Sequence, residues 1–171
     1  MVRIKLNPLD PGSIDEAIAK IEESEEFVEQ RAKELVRLLM ELGVDKAVDL
    51  VPLDTGVAMT SIIGYMDVAT GHGIIKAGGY CKYIEFGTGV KGRDGPHPSE
   101  KYLAIMQWAY NSGATIFTTK DGREGWYYPA DDGTWKFTQG MPSRPFMYET
   151  AQYLKQEAAR LAKEAFSNVE G

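Results

Sequence analysis

Residues Tyr80–Gly89 read YCKYIEFGTG, a compact aromatic run that ends in two closely spaced glycines. The run is short enough to be either one strand or a single helical turn. Gly87 and Gly89 tolerate backbone conformations that other residues avoid, so we expect a sharp reversal of the chain there. Different kinds of pattern lie on the two sides of this run, and they predict the rest of the fold.

On the N-terminal side the main signal is a helix. Residues 1–12 resemble a short strand or arm, and Ser13 with Glu16 forms a capping box that starts a helix. Apolar residues then follow helical spacing over 14–42. The apolar stripe thins at Glu22–Glu26, which suggests a break in the helix at that point.

A second helical piece and a hairpin follow. Gly43 is expected just beyond the end of the first helix, with a shorter helical piece at 44–50. Two runs rich in Ile, Tyr, Met and Val, at 61–70 and 74–77, flank the turn signal Thr70–Gly73. This pattern predicts two paired strands.

On the C-terminal side, GTGVKGRDGPHP (87–98) is rich in glycine and proline and predicts a long exposed loop. Ser99 can cap a helix over 100–111. Residues 113–125 have the composition of a strand or loop. These segments make residues 90–123 an extended insertion of loop and helix.

The remaining residues predict a second hairpin and a long helix. Runs at 126–130 and 134–138 flank a D-D-G turn. Pro145 suits the first turn of a helix whose apolar stripe continues to Ala165. We therefore expect one α+β domain over 1–171: a mostly antiparallel sheet, with a long N-terminal and a long C-terminal helix packed on it, plus the 90–123 insertion.

Composition limits the functional class. The chain has 171 residues, 43% hydrophobic and 26% charged, as expected of a folded globular domain. The chain has a formal charge of −6 and no basic cluster, which argues against tight binding of nucleic acid. Such binding requires many cations that face the phosphates. No run is long and apolar enough for a transmembrane helix, and the N-terminus lacks a signal-peptide core. A lone cysteine fits a reducing compartment such as the cytoplasm.

Three patterns could carry chemistry, and each also has a structural explanation. Gly87–Gly92 matches G-x-G-x-x-G, but a dinucleotide site needs a helix starting at those glycines, which Pro96 and Pro98 should prevent. No acidic residue follows at the spacing that a ribose requires. A glycine-rich surface loop explains the motif better.

The second pattern is Asp94, His97 and Glu100, spaced three apart like possible metal ligands, and the third is Cys81 as a nucleophile. Metal sites usually use two or more His or Cys ligands, and a catalytic cysteine needs a histidine base. Solvated loop side chains and a buried thiol are the structural explanations. We expect no catalytic residue, cofactor or metal.

The aromatic hairpin is a possible binding surface. Trp126, Tyr127, Tyr128, Trp135 and Phe137 crowd into it, and one of its faces should be core. The other face could stack on a sugar or a protein partner. A small carbohydrate- or peptide-binding module that uses the 126–137 hairpin is therefore the alternative to a structural function.

Three motifs recur in a fixed order: PLDTGVAMTSI at 52–62, YCKYIEFGTG at 80–89, and GMPSRPFMYET at 140–150 before the last helix. Together they resemble the tail-component family of long-tailed bacteriophages, known as neck, head–tail joining or tail-completion proteins. YIEFGTG is the most specific part. The chain departs from the family at Val57, Met59, Cys81 and Lys82 and in its long insertion.

The resemblance implies a structural protein without enzymatic activity. It implies self-association into a six-fold or twelve-fold ring at the head–tail junction, contacting other neck and tail proteins on the portal side and the tail-tube side. DNA would pass through the ring without specific binding. The protein would occupy the host bacterial cytoplasm during assembly and then the virion, with no membrane. The 90–123 insertion and the acidic N-terminal helix around Glu25 and Glu26 are candidate contact surfaces.

The resemblance also selects the candidate site, which is a set of motif residues: Asp54, Thr55, Gly56, Tyr83, Glu85, Phe86, Gly87, Thr88, Gly89, Arg144, Pro145 and Phe146. Asp54 and Thr55 can cap a short helix, with Gly56 permitting a tight turn. A buried Glu85 needs a donor, and we expect Arg144 to supply it.

Overall fold

The computed structural model describes residues 11–53, 56–67, 70–111, 115–130 and 132–167. Its helices are α1 (Pro11–Leu50), α2 (Val57–Thr60), α3 (Cys81–Phe86), α4 (Gly89–Asp94), α5 (Glu100–Ile105) and α6 (Phe146–Ser167). Its strands are β1 (Ile63–Asp67), β2 (His72–Lys76), β3 (Phe117–Thr118), β4 (Glu124–Pro129), β5 (Trp135–Thr138) and β6 (Gly140–Met141). The predicted α+β class is confirmed. The arm predicted at 1–12 lies almost wholly outside the described residues.

Helix α1 is one continuous helix of 40 residues, which corrects three predictions. Ser13 lies inside the helix and does not cap it, because the helix already includes Pro11. The acidic stretch Glu22–Glu26 does not break the helix, since glutamate is a good helix former when its side chain stays in water. Residues 44–50 belong to the same helix.

Gly43 lies within α1 because two other elements pack closely there. A Cβ at this position would stand 2.8 Å from Cδ1 of Leu154 on α6 and would also overlap Cδ1 of Ile75 on β2. The absence of a side chain therefore lets α6 and β2 approach the α1 backbone, and this glycine does not end the helix.

The first hairpin is confirmed and packs on α1. Strands β1 and β2 are antiparallel, with Tyr65 opposite Ile74 and Asp67 opposite His72. His72 thus begins β2 instead of lying in the turn. Gly73 faces the Val36 side chain of α1 without room for a Cβ, which brings the hairpin against the helix.

The core lies where the end of α1 meets α2, α3 and the start of α6. Ala47, Val51, Ile62, Ile84 and Phe146 are among its buried members. Because the start of α6 shares this core with the end of α1 while Leu154 lies against Gly43, the two long helices run antiparallel.

The 90–123 insertion is more folded than predicted. The glycine- and proline-rich stretch forms helix α4, and Thr88, Gly89, Gly92 and His97 are buried. Proline does not prevent this helix because α4 ends at Asp94, before Pro96. The expectation of an exposed loop is therefore wrong for this half of the insertion.

The next two predictions are confirmed in part. Ser99 caps α5, its hydroxyl accepting from the Tyr102 amide at 3.4 Å, but α5 ends at Ile105 instead of 111. Gln107 has a φ of 47°, a left-handed conformation that a continuing helix could not contain. The second hairpin forms as β4 and β5, with Trp126 opposite Thr138, and β3 adds a third strand at its edge.

Candidate functional site

The second and third motifs form one structural joint, although about 60 residues separate them. The Arg144 amide donates to the Ile84 carbonyl at 2.8 Å, and the Ser143 hydroxyl donates to the Glu85 carbonyl. Thr88 pairs with Met141 as an antiparallel bridge. The 140–148 segment is therefore held along α3 and the turn that follows it. We call this arrangement the motif joint, residues 84–89 with 140–148.

The centre of the motif joint is the buried carboxylate of Glu85. Its Oε2 accepts from the Met147 amide and its Oε1 from the Tyr148 amide, both at 2.9 Å. These amides belong to the first turn of α6, where helical N–H groups have no carbonyl partner within the helix. The carboxylate also meets the positive end of the helix dipole. Glu85 thus caps α6 from a different part of the chain.

Pro145 explains why α6 needs a cap from elsewhere. It occupies the position just before the helix, where Ser, Thr, Asp or Asn would normally accept from these amides. A proline side chain has no acceptor. The presence of both Y-I-E-F and R-P-F in one sequence therefore has a physical reason: the Y-I-E-F motif supplies the acceptor that the R-P-F motif lacks.

The prediction that Arg144 is the partner of Glu85 is wrong. Glu85 is buried as expected, but its donors are two backbone amides and a histidine. The Arg144 side chain is exposed, and within the described residues it makes no ion pair. Only its backbone contributes to the joint.

His97 is the third donor to Glu85 and is buried, which overturns the expectation of a solvated loop histidine. Its Nε2 lies 3.2 Å from Oε1 of Glu85, and its Nδ1 accepts from the Ser99 amide at 3.0 Å. Nδ1 also lies 3.4 Å from the Ser99 carbonyl oxygen. Both ring nitrogens are therefore used in holding the joint.

The glycines of YIEFGTG have the conformations that the sequence predicts. Gly87 and Gly89 have φ values of 75° and 65°, in the left-handed region. A Cβ at Gly87 would stand 2.6 Å from the Ser143 amide nitrogen. The reversal here begins the insertion, and the missing side chain lets the 140–148 segment approach.

Two aromatic residues of the same motif, Tyr83 and Phe86, pack against the insertion. Phe86 contacts Trp108 and His97, with ring centroids 5.2 and 4.9 Å away. Tyr83 contacts Trp108 at 5.7 Å, and Trp108 donates from Nε1 to the Gly87 carbonyl at 3.0 Å. Trp108 thus ties the insertion back to the body of the domain.

The first motif is described only in part. Asp54 and Thr55 lie outside the described residues, so their capping function stays a prediction. Gly56 has a φ of 79° and directly precedes α2, which confirms the tight turn expected of it.

The groups of two sequence patterns that could have carried chemistry are instead engaged in contacts within the fold. A helix does start at the glycines of G-x-G-x-x-G, contrary to our expectation, but it has only six residues. Its Gly89 and Lys91 amides donate to the carbonyls of Tyr110 and Gln139, so neither faces a ligand. Cys81 is buried as expected, with Sγ 3.4 Å from the Ser61 hydroxyl.

The proposed metal ligands do not converge. Asp94 and Glu100 are exposed, whereas His97 points inward to Glu85. Across the described residues, no group of three or more His, Cys, Asp or Glu side chains could hold a metal ion.

Beside the motif joint, the surface has an apolar cleft with one cation at its edge. It encloses about 340 Å³ and is lined by residues that include Pro52, Val57, Tyr80, Ile84, Met141 and Arg144. We call it the Arg144 cleft. Val57 at its rim is 62% exposed, and Leu53, next to the lining residue Pro52 in the sequence, is 78% exposed. Large apolar side chains in water beside a concave surface are typical of a contact site for another protein.

A second pocket of about 460 Å³ continues from this cleft through Tyr80 and Met141, which line both. Its other members include Tyr83, Trp126, Tyr128 and Thr138. Alternation in β4 puts Trp126 and Tyr128 on this face, as predicted. Tyr127 lies on the other face, stacked on Phe117 at 5.7 Å.

The second hairpin is not a core element. Trp135 is 67% exposed, and Tyr127 and Tyr128 are also exposed. The expectation that one of its faces is core holds only in part: Trp126 is half-buried on the face that it shares with Tyr128, which is exposed.

None of the described helices combines the length and apolar character needed to cross a membrane. Comparisons with models of protein families, with curated proteins and with solved structures find no significant match to this chain.

Glu85→Ala should lower the free energy of unfolding by about 3 kcal/mol or more, because three donors lose a buried acceptor at a cost of about 1–3 kcal/mol each. Urea unfolding followed by circular dichroism measures this. Glu149→Ala is the control, since Glu149 is exposed in the same first turn of α6, and should cost less than about 1 kcal/mol. Equal losses would contradict the capping function of Glu85.

Gly140→Ala should destabilise the protein more than Gly133→Ala. Both glycines have positive φ, 85° and 76°, so both variants suffer a similar backbone strain. A Cβ at Gly140 would overlap the Thr88 carbonyl, whereas open space surrounds Gly133. The difference in melting temperature isolates the close packing of the motif joint, and no difference would mean that this packing is unimportant.

Proposed function

We propose that this chain is a structural, ring-forming component of the head–tail junction of a long-tailed bacteriophage. As a neck or tail-completion protein, it joins the tail to the portal complex and leaves a channel for DNA. It works in the host cytoplasm during assembly and stays in the virion. Its contacts are with other copies of itself and with neck and tail proteins on either side.

One observation carries the proposal. Two of the three motifs that carry the resemblance to the tail-component family, through their parts YIEFGTG and PSRPF, meet in the motif joint and complete each other through Glu85. Motif residues that join two segments of the chain in this way maintain the fold and shape its surface. Glu85 and His97 are each engaged on both sides, so neither of these two side chains is left free for a reaction.

The surface supports a function in protein contacts. The Arg144 cleft and the exposed residues of its rim are apolar, and they lie beside the motif joint. Apolar groups in such a position favour protein partners, since burying them removes apolar area from water.

Charge supports passage of DNA without binding. Residues 11–29 of α1 contain seven carboxylates and one lysine, which gives this segment a formal charge of −6, equal to that of the whole chain. A surface with this charge repels phosphates, so DNA moving along it would not be held.

Deleting the gene from the phage that carries it tests the proposal. We expect DNA-filled heads separate from tails, or aberrant tails, in electron micrographs of the lysate, and a titre reduced by several orders of magnitude. Supplying the gene from a plasmid should restore the titre. Normal infectious particles without this polypeptide would contradict the proposal.

A carbohydrate- or peptide-binding module is the second candidate, favoured by the exposed aromatic rings of the second hairpin. Aromatic faces stack on sugars, and the neighbouring pocket adds the Thr138 hydroxyl.

This candidate predicts that Trp135→Ala weakens binding to a glycan array at least tenfold without changing the melting temperature. Phe166→Ala on α6, also partly exposed, serves as a control and should leave binding unchanged. A wild-type chain that binds no glycan on the array would eliminate the carbohydrate form of this candidate.

A further inference from the structure

The N-terminal part of α1 carries an apolar stripe that is about half exposed, although Ala17 beside it is buried. Ile14, Ile18, Ile21 and Val28 lie on one side of the helix and are 42–52% exposed. Helix α6 runs antiparallel to α1, with Leu154 beside Gly43, and it ends 13 residues later at Ser167. Since both helices have the same rise per residue, α6 extends along α1 only to about residue 30.

The stripe has the spacing of a helix-packing seam with one charge in it. Ile14, Ile21 and Val28 are seven residues apart, and Ile18 and Glu25 are also seven apart. Glu25 therefore occupies a seam position, where a polar residue fixes the register and the choice of partner. Glu26, one residue later, faces away from the seam.

Charge decides against pairing of this stripe with the same stripe of another copy. Each copy would bring the −6 of residues 11–29, and each would place Glu25 in the interface. Like charges in a contact that excludes water are strongly unfavourable. The stripe needs an apolar partner surface that carries a cation.

The Arg144 cleft is such a surface on the same chain. It is apolar, its rim is exposed, and Arg144 makes no ion pair within the described residues. The single carboxylate of the stripe, Glu25, and the single guanidinium of the cleft, Arg144, have opposite charges and could form one ion pair.

The stripe of one copy cannot reach its own cleft. The cleft begins at Pro52, just after α1 ends at Leu50, and Ile21 is 29 residues earlier in a continuous helix. At 1.5 Å per residue this is about 44 Å. Any contact between the two surfaces must join different copies head to tail, and such a contact closes into a ring when the rotation between copies permits.

We infer that the Ile14–Val28 stripe of one copy docks in the Arg144 cleft of the next copy, with Glu25 paired to Arg144. This inference rests on the ring assembly proposed above and names its contact.

Cross-linking of the full chain tests the geometry. Ile21→Cys with Val57→Cys in one polypeptide, oxidised with copper phenanthroline, should give a ladder of covalent dimers, trimers and larger species on a non-reducing gel. The native Cys81 is buried. Ala19→Cys with Val57→Cys is the control, because Ala19 lies on the opposite side of α1, and it should give no ladder. No ladder from the first pair, or equal ladders from both, overturns the inference.

Charge reversal tests the pairing in the same Ile21→Cys, Val57→Cys background. Glu25→Arg and Arg144→Glu should each reduce the ladder about tenfold, and the two together should restore it to within about twofold. Glu26→Arg makes the same charge change outside the seam and should leave the ladder intact. Circular dichroism melts of all four variants show whether each is folded.

The outcomes separate this inference from the proposed function. Two damaging single variants without restoration in the double variant overturn the Glu25–Arg144 pair. A missing ladder, together with loss of infectious particles on gene deletion, removes the contact and leaves the neck function standing. A ladder that is restored by the double variant, together with normal particles on deletion, keeps the contact and removes the function.

Discussion

The fold depends on one carboxylate. Glu85 is buried on α3 and accepts from the first-turn amides of α6 and from His97. Without it, α6 would begin after Pro145 with no side chain to accept its free N–H groups in a place that water does not readily reach. This cap fixes the start of α6 and therefore where the rest of that helix lies along α1. The long helix pair and the motif joint are in this sense a single arrangement.

The insertion depends on the same joint. Its first half returns to the body through Trp108, which donates to the Gly87 carbonyl, and through His97. What extends outward is the sheet β3–β4–β5, with Trp135 and its neighbours in water. The domain thus uses His97 and Glu85 internally and presents aromatic and apolar side chains externally. This division of residues suits a protein whose surface meets other proteins.

The sequence predicts the elements well where the signal is local, and poorly where a distant residue decides. Periodicity predicts α6, and the turn residues predict both hairpins. Gly43 misleads because its function is to admit Leu154 and Ile75, which no local pattern reveals. The apolar neighbours of Glu85 in the sequence predict that its carboxylate needs a hydrogen-bond donor. The donors could not be predicted, because they lie 12 residues away (His97) and about 60 residues away (the amides of Met147 and Tyr148). Pro145 was the available signal, since a helix that starts after a proline lacks its own cap.

The position of the charge along α1 links the fold to assembly. A long helix can extend past its partner only if the extended part is soluble, and the carboxylates of residues 11–29 provide that solubility. The same segment retains apolar residues on one side, which solubility alone would not require. One end of α1 is therefore acidic with an apolar seam, and the other end meets an apolar cleft lined by the exposed Arg144. Because the rigid helix holds these two surfaces far apart, they can combine only between copies, and in the assembly proposed above the length of α1 would make a small domain a repeating unit.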